Sequence, residues 1–336
     1  MGFLVSKEER LSIARRVDPA SLASKRILIT GGSGMVGAYL AESVLNLLRD
    51  YGLPLGELAV TSKSGDFHNN QGIADSKNVR LFTSGPGEYL KAEYQYVIHA
   101  ASPASPIHYE SAAELRDVNV GSLKNIISDA TERFLFISVG ESYGFNAPFK
   151  VSEDFVGSID PSLARSAYPL AKIEAERVAR ELCTEWEAEM RVARLFHTFG
   201  PGVRERDGRS FADFLWQSAR GKRPLLKSLG GDIRTFLYSE DTAVGLLTIL
   251  TRVGELGPVN IGSEIPVSIL EFAKLVSAIA GIGGEVEFNY AEADYVHSPN
   301  PVFVPSTSAL RNLGWRQEVD LQQAIERTLD WIRKEI

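Results

Sequence analysis

Short apolar runs alternate with longer segments whose leucines, valines and alanines recur every three to four positions. Residues 25–30 (KRILIT) form the first run and lead directly into residues 31–37 (GGSGMVG). Residues 38–52 (AYLAESVLNLLRDYG) follow with helical spacing. Residues 57–62 (ELAVTS), 79–84 (VRLFTS) and 94–102 (YQYVIHAAS) predict a second, third and fourth strand. Residues 113–131 predict one helix, residues 133–140 (RFLFISVG) a fifth strand and residues 167–189 a long helix. Pro169 lies near the start of that helix, where the missing N–H costs nothing. Residues 190–200 (MRVARLFHTFG) predict a sixth strand and its exit loop. Strands alternating with helices predict an α/β fold, a Rossmann-type doubly wound parallel sheet.

From residue 201 onward the pattern loosens into helix, turn and short strand segments, the expected smaller C-terminal substrate-binding lobe. Residues 1–24 read as an N-terminal arm, 25–200 with 233–262 as a dinucleotide-binding domain, and 201–232 with 263–336 as the lobe. No low-complexity linker or internal repeat separates them.

Composition narrows the function classes. The chain has 336 residues, 44% of them hydrophobic and 24% charged, and can bury a core without crosslinks. Its single cysteine, Cys183, excludes an internal disulfide and suits a reducing, cytoplasmic compartment. The first residues lack the apolar stretch of a signal peptide, and no run reaches the length of a membrane span, so no membrane partner is expected. A net charge of −7 argues against nucleic acid. The histidines (His68, His99, His108, His197 and His297) are scattered, and no metal is expected.

Gly31, Gly34 and Gly37 form G-x-x-G-x-x-G between a strand and a helix. Glycines admit the tight turn and the close approach of a pyrophosphate, and the helix N-terminus supplies N–H groups and a positive dipole end. Ser33, Met35 and Val36 complete this turn. The second strand ends in Thr61-Ser62-Lys63-Ser64 rather than in an acid, and Asp66 follows late. Ser62 and Lys63 are expected at the adenosine end, where a 2′-phosphate would favour NADP.

Tyr168 and Lys172 form Tyr-x-x-x-Lys, and residues four apart share one helical face. An ammonium beside a phenol favours the tyrosinate, which can take a proton from a sugar hydroxyl as hydride leaves.

With these motifs in order, the chain resembles the extended short-chain dehydrogenase/reductase family, in particular its nucleotide-sugar epimerases, dehydratases and decarboxylases. The resemblance covers nearly everything after Lys25. It includes the glycine turn, His99-Ala100-Ala101-Ser102, Asn119, residues 141–144 (ESYG), Tyr168 and Lys172. It continues through residues 195–202 (LFHTFGPG), 207–214 (DGRSFADF), 234–241 (RTFLYSED) and 259–263 (VNIGS) to the terminal LGW. It implies NAD as cofactor, with NADP as the alternative. Ala100, Ala101, Ser102, Asn119, Phe196, Tyr168 and Lys172 would then join the glycine turn in holding it. It implies a nucleoside-diphosphate sugar as substrate and a homodimer as assembly. Ser142, His197, Arg209 and Arg234 fall on the substrate side, the two arginines facing the diphosphate or, alternatively, pairing with Asp207 or Glu240.

Relatives carry Ser followed by Ser or Thr where this chain has Ser138-Val139, so the hydroxyl that bonds the sugar O4 is missing. Ser138 or Ser142 could substitute. Glu141 stands where dehydratases and UDP-glucuronate decarboxylases carry a glutamate. The expected activity is oxidation at sugar C4 followed by elimination or decarboxylation, with Tyr168, Lys172, Glu141 and Ser138 as the catalytic set. A 4-epimerase or 4-dehydrogenase is the runner-up. A catalytically weak NAD(P)-binding sensor or scaffold is the reading from another class.

Overall fold

The computed structural model describes residues 3–83, 94–104, 111–290 and 300–336. At its centre seven strands run parallel: β1 (Arg26–Thr30), β2 (Glu57–Ser62), β3 (Val79–Thr83), β4 (Tyr96–His99), β5 (Arg133–Val139), β6 (Glu189–Leu195) and β7 (Pro258–Ile261). Their order is β7-β6-β5-β4-β1-β2-β3, so the winding reverses between β1 and β4. Such a switch point opens a crevice at the carboxyl ends of the strands. Strands covered on both faces must be apolar throughout, as Ile27, Leu28, Ile29, Val97, Ile98, Phe134, Leu135 and Phe136 are, all fully buried.

Helix α1 (Lys7–Arg16) opens with a capping box in which Ser6 and Glu9 exchange hydrogen bonds. It does not hang free as an arm. Leu4, Val5, Ile13 and Val17 join α2 (Met35–Asp50) in the main core. The residues read as one helix over 113–131 are instead α3 (Ala112–Arg116), a widened π turn over Asp117–Gly121, and α4 (Leu123–Ile126). Two side chains bond back to carbonyls one turn earlier, Asn119 to Leu115 and Ser122 to Val118, each at 2.7 Å, which competes with the regular ladder.

Helices α5 (Ala167–Glu185) and α7 (Ser239–Thr251) flank the sheet. The second core gathers α6 (Ser210–Ala219) and α8 (Ile269–Ile279) around Phe199, Phe236 and Phe272. The Phe236 and Phe272 rings stack with centroids 4.1 Å apart. Helix α9 (Ser308–Asn312) packs on β7, and α10 (Leu321–Glu335) closes the second core. Among the described residues no helix is long and apolar enough to cross a membrane. His108 and His297 lie outside the described residues.

The N-terminal segment is tied down by a buried carboxylate. Glu42 on α2 accepts the backbone N–H groups of Leu4 and Val5 at 2.9 and 3.1 Å. Burial pushes its pKa up to about 7, against the pull of those two bonds, and the charge of Glu9 adds to the rise. Because the folded-state pKa lies above the unfolded value, the folded chain holds the extra proton. Stability therefore falls as pH rises from about 4.5 to about 7 and levels off above that. At about 1.4 kcal/mol per pKa unit, Glu42 accounts for a decline on the order of 3 to 4 kcal/mol. Denaturant titrations of Glu42→Gln should lack that decline, and a pH profile matching the wild type would refute it.

Candidate active site

The crevice at the switch point is a cavity of about 720 Å³. The turns leaving β1, β2, β4, β5 and β6 line it, with residues 202–209 and Phe303 on the lobe side. Gly31 turns the chain at φ +64°, and a Cβ there would sit 2.4 Å from Ala101 Cα. A Cβ on Gly37 would sit 2.6 Å from the Gly31 carbonyl oxygen, so only glycine lets α2 seat on the turn. Gly34 is the N-cap of α2 and offers no capping side chain, leaving the first helical N–H groups to face an anion. Gly31, Ser33, Gly34, Met35, Val36 and Gly37 all line the cavity.

At the end of β2 the Ser33 hydroxyl bonds Ser62 at 2.9 Å. Lys63 also lines the cavity but already pairs with Glu114 at 2.6 Å, from the start of α3. Glu114 thus brings a carboxylate near the place where β2 itself ends without one.

The proton-transfer pair lies on α5. Tyr168 is buried between Leu115, Ala171 and the side chain of Val139. Burial raises its phenol pKa, and the charge of Glu141 raises it further; the Arg209 guanidinium and the Ser102 hydroxyl pull it down. Lys172 is buried, donates to the Ile137 carbonyl at 2.8 Å, and stands over the Phe136 ring at 4.7 Å. Desolvation pushes its pKa down to about 7, partly offset by the carboxylate of Glu176. Glu176 continues the face at four-residue spacing, a signal present in the sequence. It accepts from Ser138 at 2.5 Å and is clasped by Arg194 at 2.8 and 3.1 Å. Ser138 and Glu141 both line the cavity, and Glu141 faces Arg165 at 3.9 Å.

On the substrate side His197 and Arg209 line the cavity. Burial and the charges of Arg234 and Arg209 push the His197 pKa down to about 3, which favours a neutral imidazole. Arg209 pairs with Asp207 at 2.8 Å and lies over the Phe211 ring. Arg234 pairs with Asp232 at 3.2 Å rather than with Glu240, and donates to the Ile233 carbonyl. Ala100, Ala101, Ser102, Ser62, Phe196, Tyr168 and Lys172 are all at the cavity wall. Arg234, Ser142 and Asn119 are not. Asn119 is wholly buried with its amide donated to Leu115. Arg204 and Arg206, which motif spacing did not single out, join the wall from the loop before α6. His99 is fully buried, shares a 2.7 Å hydrogen bond with Thr30, stacks on Phe136 and borders the cavity at the end of β4. No group of three or more potential metal ligands occurs among the described residues.

Residues 27–262 match the model of the NAD dependent epimerase/dehydratase family. The chain is 30% identical over 318 residues to UDP-glucuronic acid decarboxylase 1 of Xenopus tropicalis, covering 93% of this chain and 73% of the frog protein. It is 27% identical over 324 residues to UDP-glucuronic acid decarboxylase 1 of Arabidopsis thaliana, covering 95% and 72%. Among solved structures, the UDP-glucuronic acid 4-epimerase of Bacillus cereus, in complex with UDP-glucuronic acid and NAD, superposes with a TM-score of 0.78 at 19% identity. That match covers 93% of this chain and all of the epimerase. The fold, the order of the motifs and the match over most of the sequence agree, and the chain belongs to the NAD dependent epimerase/dehydratase family.

Proposed function

We propose that this chain is an NAD-dependent enzyme that oxidises C4 of UDP-glucuronate and then releases its C5 carboxyl as carbon dioxide. The observation that carries this reading is the convergence of Glu141, Tyr168 and Lys172 on one cavity beneath a glycine cradle. The similarity to UDP-glucuronic acid decarboxylases supports it.

The residues present fit a dinucleotide. Backbone at Gly31 and Gly37 is packed too closely for any side chain, and the open N-terminus of α2 faces the cavity. Lys63 is engaged by Glu114, and a carboxylate at that end disfavours a 2′-phosphate, in keeping with NAD. When bound, NAD accepts hydride from C4 and later returns it.

The chain's own groups handle the proton. Tyr168, as tyrosinate, takes the proton of the C4 hydroxyl, and Lys172 as an ammonium favours that anion. A pKa of about 7 leaves the Lys172 charge sensitive to pH near neutrality. With C4 a ketone, the C5 carboxyl is a β-keto acid. Its C5–C6 bond breaks, the electron pair moves toward O4, and the Tyr168 phenol hydrogen-bonds the developing charge. C5 then takes a proton from water, directed by Glu141, and Tyr168 returns its proton to O4 as C4 is reduced. Arg209, at the wall, is assigned to the diphosphate, and Arg234, off the wall, adds its charge to that end of the site. Residues 25–200 with 233–262 carry the cofactor in this reading, and 201–232 with 263–336 shape the sugar pocket. A homodimer in the cytoplasm is part of the same reading.

Three substitutions test it. Gly34→Val adds a Cβ whose one close neighbour is the Gly31 carbonyl oxygen at 3.3 Å, so the fold should survive. Its side chain crowds the pyrophosphate, and calorimetry should find NAD binding lost; wild-type affinity in the folded variant would remove the cradle from the site. Glu141→Gln should still form reduced cofactor at 340 nm and a keto sugar from UDP-glucuronate. Its decarboxylated product should fall by roughly two to four orders of magnitude in rate. Wild-type product formation would favour a 4-epimerase or dehydrogenase instead. Tyr168→Phe should block both stages.

A further inference from the structure

The hydroxyl missing at Val139 is replaced by neither neighbouring serine. Val139 packs against the buried cluster of Leu115, Tyr168 and Ala171 and offers only methyl groups. Ser138, one residue earlier on β5, donates its hydroxyl hydrogen bond to Glu176 at 2.5 Å, a carboxylate held by Arg194. Ser142 is not at the cavity wall, and its hydroxyl has only Ser138 near it, at 3.5 Å.

One further hydroxyl lies on the cavity wall beside the phenol. Ser102 leaves β4 in the turn whose Ala104 packs with Val139 against Tyr168. Its hydroxyl oxygen is buried and has no hydrogen-bond partner of ordinary geometry. A buried hydroxyl without a partner costs free energy, and such positions are retained where a ligand or a moving proton completes them. Ser102 still draws the Tyr168 phenol pKa down, which places the two groups within influence of each other.

We infer that Ser102 takes over the positioning work on Tyr168 that a hydroxyl at residue 139 would do. It holds the Tyr168 oxygen in line with the substrate hydroxyl and donates a hydrogen bond to the tyrosinate. No net proton passes through Ser102, because the substrate proton goes to Tyr168 and returns from it. Ser102 is thus a positioning residue that acts through Tyr168. The inference rests on Tyr168 being the base that drives C4 oxidation, a step that decarboxylation and epimerisation share.

The test is single-turnover reduction of bound NAD by UDP-glucuronate, followed at 340 nm, with NAD affinity measured separately by calorimetry. Ser102→Ala should slow reduction by about 10- to 100-fold, the scale of a lost hydrogen bond to a charged group. The slowing should persist with NAD at saturation, as set by calorimetry, and the substrate concentration for half-maximal rate should stay near wild type. Val139→Thr restores a hydroxyl at residue 139 in a side chain of nearly the same volume, so Ser102→Ala/Val139→Thr should recover at least about tenfold of the loss. A purely structural Ser102 predicts additive effects and no recovery. Overturning results are a Ser102→Ala rate within about twofold of wild type, or a double variant as slow as Ser102→Ala alone. The two readings fail separately: reduction without release of carbon dioxide removes decarboxylation and leaves Ser102 standing. A wild type that never reduces its cofactor overturns both.

Discussion

Everything in the site depends on how closely two backbone turns approach at the carboxyl ends of β1 and β4. Gly31 and Ala101 are so near that one added carbon would lie 2.4 Å from the opposing backbone. That contact sets the depth of the crevice at the switch point. It brings the open N-terminus of α2 to one wall and residues 99–104 to another. Gly37 repeats the constraint one turn into the helix, fixing the angle at which α2 leaves. A side chain at either place would push helix and strand apart and widen the cleft around its ligand.

The second governing feature is the burial of a charge-bearing lysine. Lys172 reaches the Ile137 carbonyl through an apolar layer, and desolvation brings its pKa to about 7. Glu176 limits the fall and is itself fixed by Ser138 and Arg194. A row of groups on α5 and the neighbouring strands thus tunes one ammonium, four residues along the helix from Tyr168. The arrangement explains why Ser138, although it lines the cavity, is committed to the supporting carboxylate rather than to the substrate. It leaves the unpartnered hydroxyl of Ser102 on the cavity wall, where Val139 offers only methyl groups.

The alternation of apolar runs with helically spaced segments determined the parallel α/β architecture, because strands covered on both faces cannot hide their composition. The glycine spacing determined the phosphate turn, since backbone proximity forbids side chains there. The four-residue spacing of Tyr168 and Lys172 determined that they share a face of one helix. Tertiary structure decided the rest. The break of the predicted single helix around Asn119 follows from side chains competing for carbonyls, a choice that helical periodicity does not encode. The docking of residues 3–17 into the core depends on Glu42 lying opposite them across α2. Which arginine reaches the cavity depends on partners, with Asp232 holding Arg234 behind the wall while Arg209 stays on it. The direction of each hydroxyl was likewise beyond sequence pattern. Residue identity says that a group exists, but only the packing of strands and turns around it decides whether it meets a carboxylate, a phenol or the open cavity.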